Sequence, residues 1–87
     1  MELENRIQAL IGVGAAVSAN CQPCLQSTVA LARESGASER EIAEAIEVGK
    51  RIRRGAASKM DKFAFGLQSA VPSPVSGTDA GCGCGLI

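Results

Sequence analysis

Cys21 and Cys24, three apart in the stretch SANCQPCLQSTVA, are the residues best equipped for chemistry in this chain. A Cys-x-x-Cys is most simply read as a redox dithiol or as half of a metal site. The pair falls at a predicted helix start. Pro23 lies in its first turn, where the missing N–H of proline has no helical partner to lose. The positive end of that helix favours thiolate over thiol, and the thiolate is the nucleophile and the metal ligand. Three residues of separation put both sulfurs on one face, within reach of a disulfide. The chain has no histidine, so the usual imidazole base is missing. The plainer alternative is two small buried hydrophobes in a helical turn. The polar neighbours Asn20 and Gln22 favour exposure and reactivity instead.

A second thiol pair stands near the C-terminus, as Cys82-Gly83-Cys84. In one reading it is a mobile redox arm that exchanges disulfides with Cys21 and Cys24 of its own or a neighbouring subunit. In another, Cys21, Cys24, Cys82 and Cys84 gather around one metal. Four thiolates suit zinc, an iron–sulfur cluster or Cu(I), although zinc sites usually pair one Cys-x-x-Cys with another. In the third, the tail thiols are idle. The exchange reading requires no cofactor.

The elements that must position these thiols are helical. The chain of 87 residues has the length of one domain, divided here into a helical domain over 1–70 and a flexible tail over 71–87. Leu3 to Ala19 reads as a first helix with Leu3, Ile7, Leu10, Ile11, Gly14 and Val17 at steps of three and four. Its second half is apolar nearly all round, which predicts burial on most sides, and in a chain this short that burial is expected to need a second subunit. Gly12, Ala15, Ala16 and Ala19 would admit another helix closely. Asn20 breaks this helix. A second helix runs from the cysteines to about Glu34, with Leu25, Thr28, Val29, Leu31 and Ala32 inward and Gly36 as its left-handed terminator. Ser38 and Glu41 form an S-x-x-E capping box for a third helix, whose inner face is Ile42, Ala45, Ile46, Gly49 and Ile52. Gly55 is expected to kink or split the segment, leaving a fourth piece from Ala56 to about Gln68 that presents Met60, Phe63, Ala64 and Leu67. From Ser69 the sequence turns to Pro, Ser and Gly without periodicity. No strand pattern and no internal repeat is present, so the fold class is all-α.

Composition narrows the function. Nine Lys and Arg balance nine Asp and Glu, and Phe63 and Phe65 are the only aromatics. The basic run from Lys50 to Lys62 shares its helix with Glu39, Glu41, Glu44 and Glu47. With no tyrosine or tryptophan to stack a base, it reads as a solvated, ion-paired face, with Glu47 and Arg51 four apart. Nucleic acid is therefore not an expected partner, nor is a membrane: the apolar run before Cys21 is too short to span one. An export signal is not expected, because the leader MELENR sets Glu2 and Glu4 against Arg6 and lacks a positive start. The expected location is the cytoplasm, where reduced thiols persist. A chain this small buries little surface, so homo-oligomerisation is the expected source of further stability.

Pro23 before the second cysteine matches the order of the thioredoxin-type C-G-P-C, but that fold needs strands. The arrangement resembles instead the AhpD-like group of the carboxymuconolactone decarboxylase superfamily, over roughly Leu3 to Leu67. The residues that carry the resemblance are the apolar small-residue helix, SANCQPC, and ALARESGASEREIAEAIEVGKRI. The resemblance implies an all-helical subunit that assembles as a dimer, trimer or hexamer. It also implies a dithiol that reduces peroxides or passes electrons from a disulfide partner. It would make Cys24 the peroxide-attacking thiol and Cys21 the resolving one. The family's peroxidase motif adds a glutamate and two histidines as a proton relay, and those places hold Ala9, Pro23 and Thr28 here. General-base help is worth roughly 10²–10⁴ in rate, so a fast peroxidase is not expected. Lactone decarboxylation finds no acid–base set. The expected function is thiol–disulfide exchange through Cys21 and Cys24 with a thiol or disulfide protein partner, accompanied at most by weak peroxidase or antioxidant activity. The alternatives are metal or cluster binding by the four cysteines and a non-catalytic structural role.

Overall fold

Three helices, α1 (Asn5–Ser18), α2 (Gln22–Glu34) and α3 (Glu39–Ser69), make up the secondary structure of a computed structural model that describes residues 2–69. No strand occurs among the described residues, in agreement with the all-α reading.

The two turns that connect the helices share one design. The α1 helix ends with Asn20 in the left-handed region, at φ 58°, a conformation asparagine tolerates better than most residues. The Asn20 N–H donates to the Val17 carbonyl (3.1 Å) and the Cys21 N–H to the Ala16 carbonyl (3.0 Å). Gly36, at φ 95°, does the same for α2. Its N–H reaches the Arg33 carbonyl (3.1 Å), and the Ala37 N–H reaches the Ala32 carbonyl (2.9 Å). These paired bonds satisfy carbonyls that a helix end would otherwise leave open. The start of α3 carries the expected capping box. The Glu41 N–H donates to Ser38 Oγ (3.0 Å), and the Ser38 N–H donates to the Glu41 carboxylate (3.0 Å).

The core is made of small side chains. Ala9, Val13, Ala16 and Val17 of α1, Ala32 of α2 and Ile42 of α3 are buried. Leu25, Val29, Ala45 and Ile46 pack partly against this cluster. Small residues let the helices approach closely. A Cβ added at Gly49 would fall 2.5 Å from the Gly14 carbonyl oxygen, and one at Gly12 would fall 2.9 Å from the Thr28 methyl carbon. Gly12 therefore admits a helix, and that helix is α2 of the same chain and not one from a second subunit.

The structure corrects three expectations. Ile11 of α1 is 57% exposed and Leu3 is also exposed. The face of α1 that turns inward is Ala9, Val13, Ala16 and Val17. Ile52 and Leu31 likewise point out, at 59% and 49% exposure. Finally, Gly55 does not split its segment, and the expected fourth piece is the C-terminal part of α3.

The packed unit extends to Ala57, and the α3 residues from Ser58 form a second unit. In that second unit Met60, Phe63, Phe65 and Leu67 are exposed. In the first, Ile7, Leu10, Ile11, Val48 and Ile52 line an open apolar groove of about 520 Å³. No helix among the described residues is long and apolar enough to cross a membrane.

Candidate functional site

Cys21 is held from both sides. Its backbone N–H closes the end of α1 on the Ala16 carbonyl. Its side chain opens α2, where it takes the N-cap position and its Sγ accepts the Cys24 N–H at 3.3 Å. Its carbonyl accepts the Leu25 N–H at 3.0 Å. A cysteine thus stands where Ser, Thr, Asp or Asn is usual, and its sulfur receives the positive end of the helix. Pro23 falls in the first turn, where it removes no helical hydrogen bond.

Cys24 lies three residues on, in the same first turn. The two sulfurs are joined in a disulfide, with Cα atoms 5.2 Å apart, inside the range disulfides require. Cys21 is half-buried and Cys24 is exposed. Cys24 is thus the more exposed residue of the pair.

The three positions that the resemblance assigns to a proton relay hold no proton carrier. Ala9 is 2% exposed and belongs to the core. Pro23 has neither a titratable group nor an N–H. The Thr28 hydroxyl donates to the Cys24 carbonyl (2.9 Å) and to the Leu25 carbonyl (3.2 Å) of its own helix. Its methyl packs toward Gly12. Thr28 therefore braces α2 against α1 and turns its polar atom to the backbone, as helical threonines often do.

Beside Cys21 is a cleft of about 250 Å³. Lys50 and Arg53 of α3 line it together with Cys21, over an apolar floor that includes Val17, Leu25 and Ile46. The Arg53 guanidinium is fixed by neutral acceptors, donating to the Asn20 side-chain oxygen (3.0 Å) and to the Val17 carbonyl (3.3 Å). It thereby supports both the end of α1 and the turn that carries Cys21. These two basic residues were expected on a solvated face. Their register could have placed them here, because positions 46, 50 and 53 step along one side of a helix. Of the expected ion pairs on α3, Glu47 pairs with Lys50 (3.4 Å) and not with Arg51.

At the other end of the packed unit, Arg6 of α1 reaches Glu41 of α3 at 2.6 Å. The Glu41 carboxyl is held below its ordinary value, chiefly by the Ser38 backbone hydrogen bond and also by Arg6. Among the described residues no group of three or more His, Cys, Asp or Glu side chains is gathered as for a metal ion. Cys82 and Cys84, and with them the proposed redox arm and the four-thiolate metal site, lie outside the described residues.

The model of the carboxymuconolactone decarboxylase family matches residues 2–65. No curated protein and no solved structure matches the chain.

Proposed function

The chain belongs to the carboxymuconolactone decarboxylase family, and from that premise we propose that it is an AhpD-like thiol–disulfide oxidoreductase working through Cys21 and Cys24. The observation that carries this reading is the asymmetry of the pair. Cys24 is the more exposed residue and is taken as the point of attack, while the Cys21 sulfur accepts the Cys24 N–H at the start of α2. In thiol–disulfide exchange the sulfur best stabilised as a thiolate is the better leaving group. A partner thiolate attacks Cys24, forms a mixed disulfide and releases Cys21 as a thiolate. The partner's second thiol, once deprotonated, then attacks its own sulfur in that mixed disulfide and frees Cys24. The partner dithiol is oxidised to a disulfide, and the Cys21/Cys24 disulfide is reduced by the same two electrons. The reduced pair later returns these electrons to another disulfide.

Peroxide reduction is the minor activity. Its leaving oxygen needs a proton, and Ala9, Pro23 and Thr28 supply none. The apolar groove along Ile7, Ile11, Val48 and Ile52 supports association of several copies, since monomers rarely leave large apolar patches uncovered.

The test is thiol trapping with mass readout across a series of thiol–disulfide redox buffers. Cys21 and Cys24 are expected to titrate together as one reversible two-electron couple, changing tenfold in ratio for about 30 mV. In Cys21→Ser the Cys24 thiolate is expected to attack an oxidised partner's disulfide and, with no Cys21 thiol to resolve it, to retain that partner as a mixed disulfide. A pair that stays reduced in every buffer, or that is shielded by a bound metal, overturns the reading.

A further inference from the structure

The exchange chemistry just proposed leaves unassigned the cleft on the inner side of the dithiol. Cys21 lines this cleft and Cys24 does not. Its volume of about 250 Å³ lies below the usual range for drug-sized ligands, so it admits one arm of a small disulfide. Its charge is uneven. Lys50 shares its ammonium with Glu47. Arg53 is fixed by an amide oxygen and a backbone carbonyl, and among the described residues no carboxylate is paired with it. A guanidinium with a full positive charge is thus oriented in a cleft that opens on a reactive sulfur, above an apolar floor.

Resting on the exchange reading, we infer that this cleft binds the carboxylate-bearing arm of a small disulfide and presents its sulfur to Cys21. The two sulfurs then serve different substrates. Cys24 faces the protein partner that reduces the pair. Cys21 faces the small anionic disulfide that reoxidises it. In that second half-reaction the Cys21 thiolate attacks one sulfur of the substrate, a Cys21–substrate disulfide forms, and the other substrate arm leaves as a thiolate. Cys24, deprotonated, attacks the Cys21 sulfur, which restores the Cys21–Cys24 disulfide and releases the bound arm. Two electrons pass from the dithiol to the substrate, which departs as two thiols. The carboxylate sits against Arg53 and Lys50, while the methylene groups of the arm lie on Val17, Leu25 and Ile46.

The experiment oxidises the reduced full-length chain with three small disulfides of like size: dithiodipropionate (anionic), hydroxyethyl disulfide (neutral) and cystamine (cationic). Loss of the Cys21/Cys24 thiols is followed by quenched peptide mass mapping. Each rate is divided by the rate of the same disulfide with dithiothreitol, which removes intrinsic reactivity. The expected normalised preference for the anionic over the cationic disulfide is about tenfold or more at low ionic strength, falling as salt screens the site. Lys50→Gln and Arg53→Gln are each expected to lower this ratio severalfold. Because both rates come from the same variant, the ratio is insensitive to a change in thiol reactivity. In Cys24→Ser the dithiodipropionate arm is expected as a stable adduct on Cys21. A ratio near one in the wild type, a ratio that neither variant alters, or no adduct on Cys21 overturns the subsite. Failure of all three disulfides, the neutral one included, to oxidise the wild-type pair sinks the exchange reading itself.

Discussion

Gly49 and Gly55 lie six residues apart in α3, and the same substitution at each is expected to act in opposite directions. A Cβ at Gly49 would fall 2.5 Å from the Gly14 carbonyl oxygen and 2.8 Å from Val17 Cβ. One of these is a backbone atom, which cannot rotate aside, so α1 and α3 must separate. Overpacking of this kind costs about 1–3 kcal/mol. Against it stands the gain from replacing a helical glycine by alanine, about 1 kcal/mol. The backbone clash puts the cost at the upper end of its range, leaving Gly49→Ala destabilised by about 1–2 kcal/mol. At Gly55 no heavy atom lies within 4 Å of the added carbon. Only the propensity gain remains there, and Gly55→Ala is expected to stabilise by about 0.5–1 kcal/mol. In a domain of this size 1 kcal/mol moves Tm by about 4–8 °C. The two variants should therefore bracket the wild type by several degrees on either side. The assay is thermal and urea unfolding followed by far-ultraviolet circular dichroism. It is run at one protein concentration, because association would make the midpoint concentration-dependent, and with the disulfide kept oxidised throughout. A Gly49→Ala protein as stable as the wild type would refute the close crossing of α1 and α3 at Gly14. A destabilised Gly55→Ala protein would refute the open surroundings of Gly55. The crossing also matters to the site, since Lys50 follows Gly49 directly and Arg53 comes about one turn later on the helix it seats.

Two further predictions concern how α2 and α3 are attached. Gly12→Ala should be destabilised by contact of the new methyl with the Thr28 methyl, 2.9 Å away. Thr28→Ser deletes that methyl and keeps the hydroxyl, so the double variant should recover stability with a coupling of about 0.5–3 kcal/mol in a mutant cycle; simple additivity of the two changes would refute the contact. Glu41 has a folded-state pKa held below its ordinary value by the Ser38 backbone hydrogen bond first and by Arg6 as well. Its contribution is therefore complete above the ordinary glutamate range and is lost as pH falls through the folded value. The gap in urea midpoint between wild type and Glu41→Gln should be open at neutral pH and close as pH falls below the ordinary glutamate range, and a gap that stays constant with pH would show that the charge of Glu41 adds nothing.

What could be read from the sequence was local. The break at Asn20, the proline-led start of α2, the terminator Gly36 and the Ser38/Glu41 box depend on groups within a few residues of each other. Each is where the spacing put it. The face that α1 turns inward depends on other helices. Its second half is apolar nearly all round, so periodicity offers Ile11 and Val13 equally. The choice of Val13 is coupled to Gly14 meeting Gly49 and Gly12 meeting Thr28, and these pairings join residues far apart in the chain. Gly55 was overrated as a breaker. Its penalty of about 1 kcal/mol is small beside the helix formers around it, Arg53 and Arg54 before and Ala56 and Ala57 after. Arg53 was underrated for a similar reason. A basic residue on an otherwise charged helix reads as solvated until the turn it anchors, at Asn20 and Val17, is seen.

The residues around the dithiol bear on which chemistry it serves. Cleaving a peroxide expels an oxygen anion, a poor leaving group that needs a proton delivered to it. Cleaving a disulfide expels a thiolate, which persists near neutral pH when a dipole or a cation stabilises it. The environment here is suited to the second task. Cys21 receives a backbone N–H at a helix start and shares its cleft with Lys50 and Arg53, so negative charge on sulfur is welcome. The positions that would carry protons have been given to packing: Ala9 to the core, Pro23 to the first turn of α2, and Thr28 to the contact with Gly12. An acid placed at position 9 would be buried among Val13, Ala32 and Ile42, where its ionised form is penalised. The relay therefore cannot be rebuilt one residue at a time without first loosening the core. A core packed in this way leaves a dithiol suited to exchanging sulfur for sulfur, and that favours the oxidoreductase reading over a slow peroxidase.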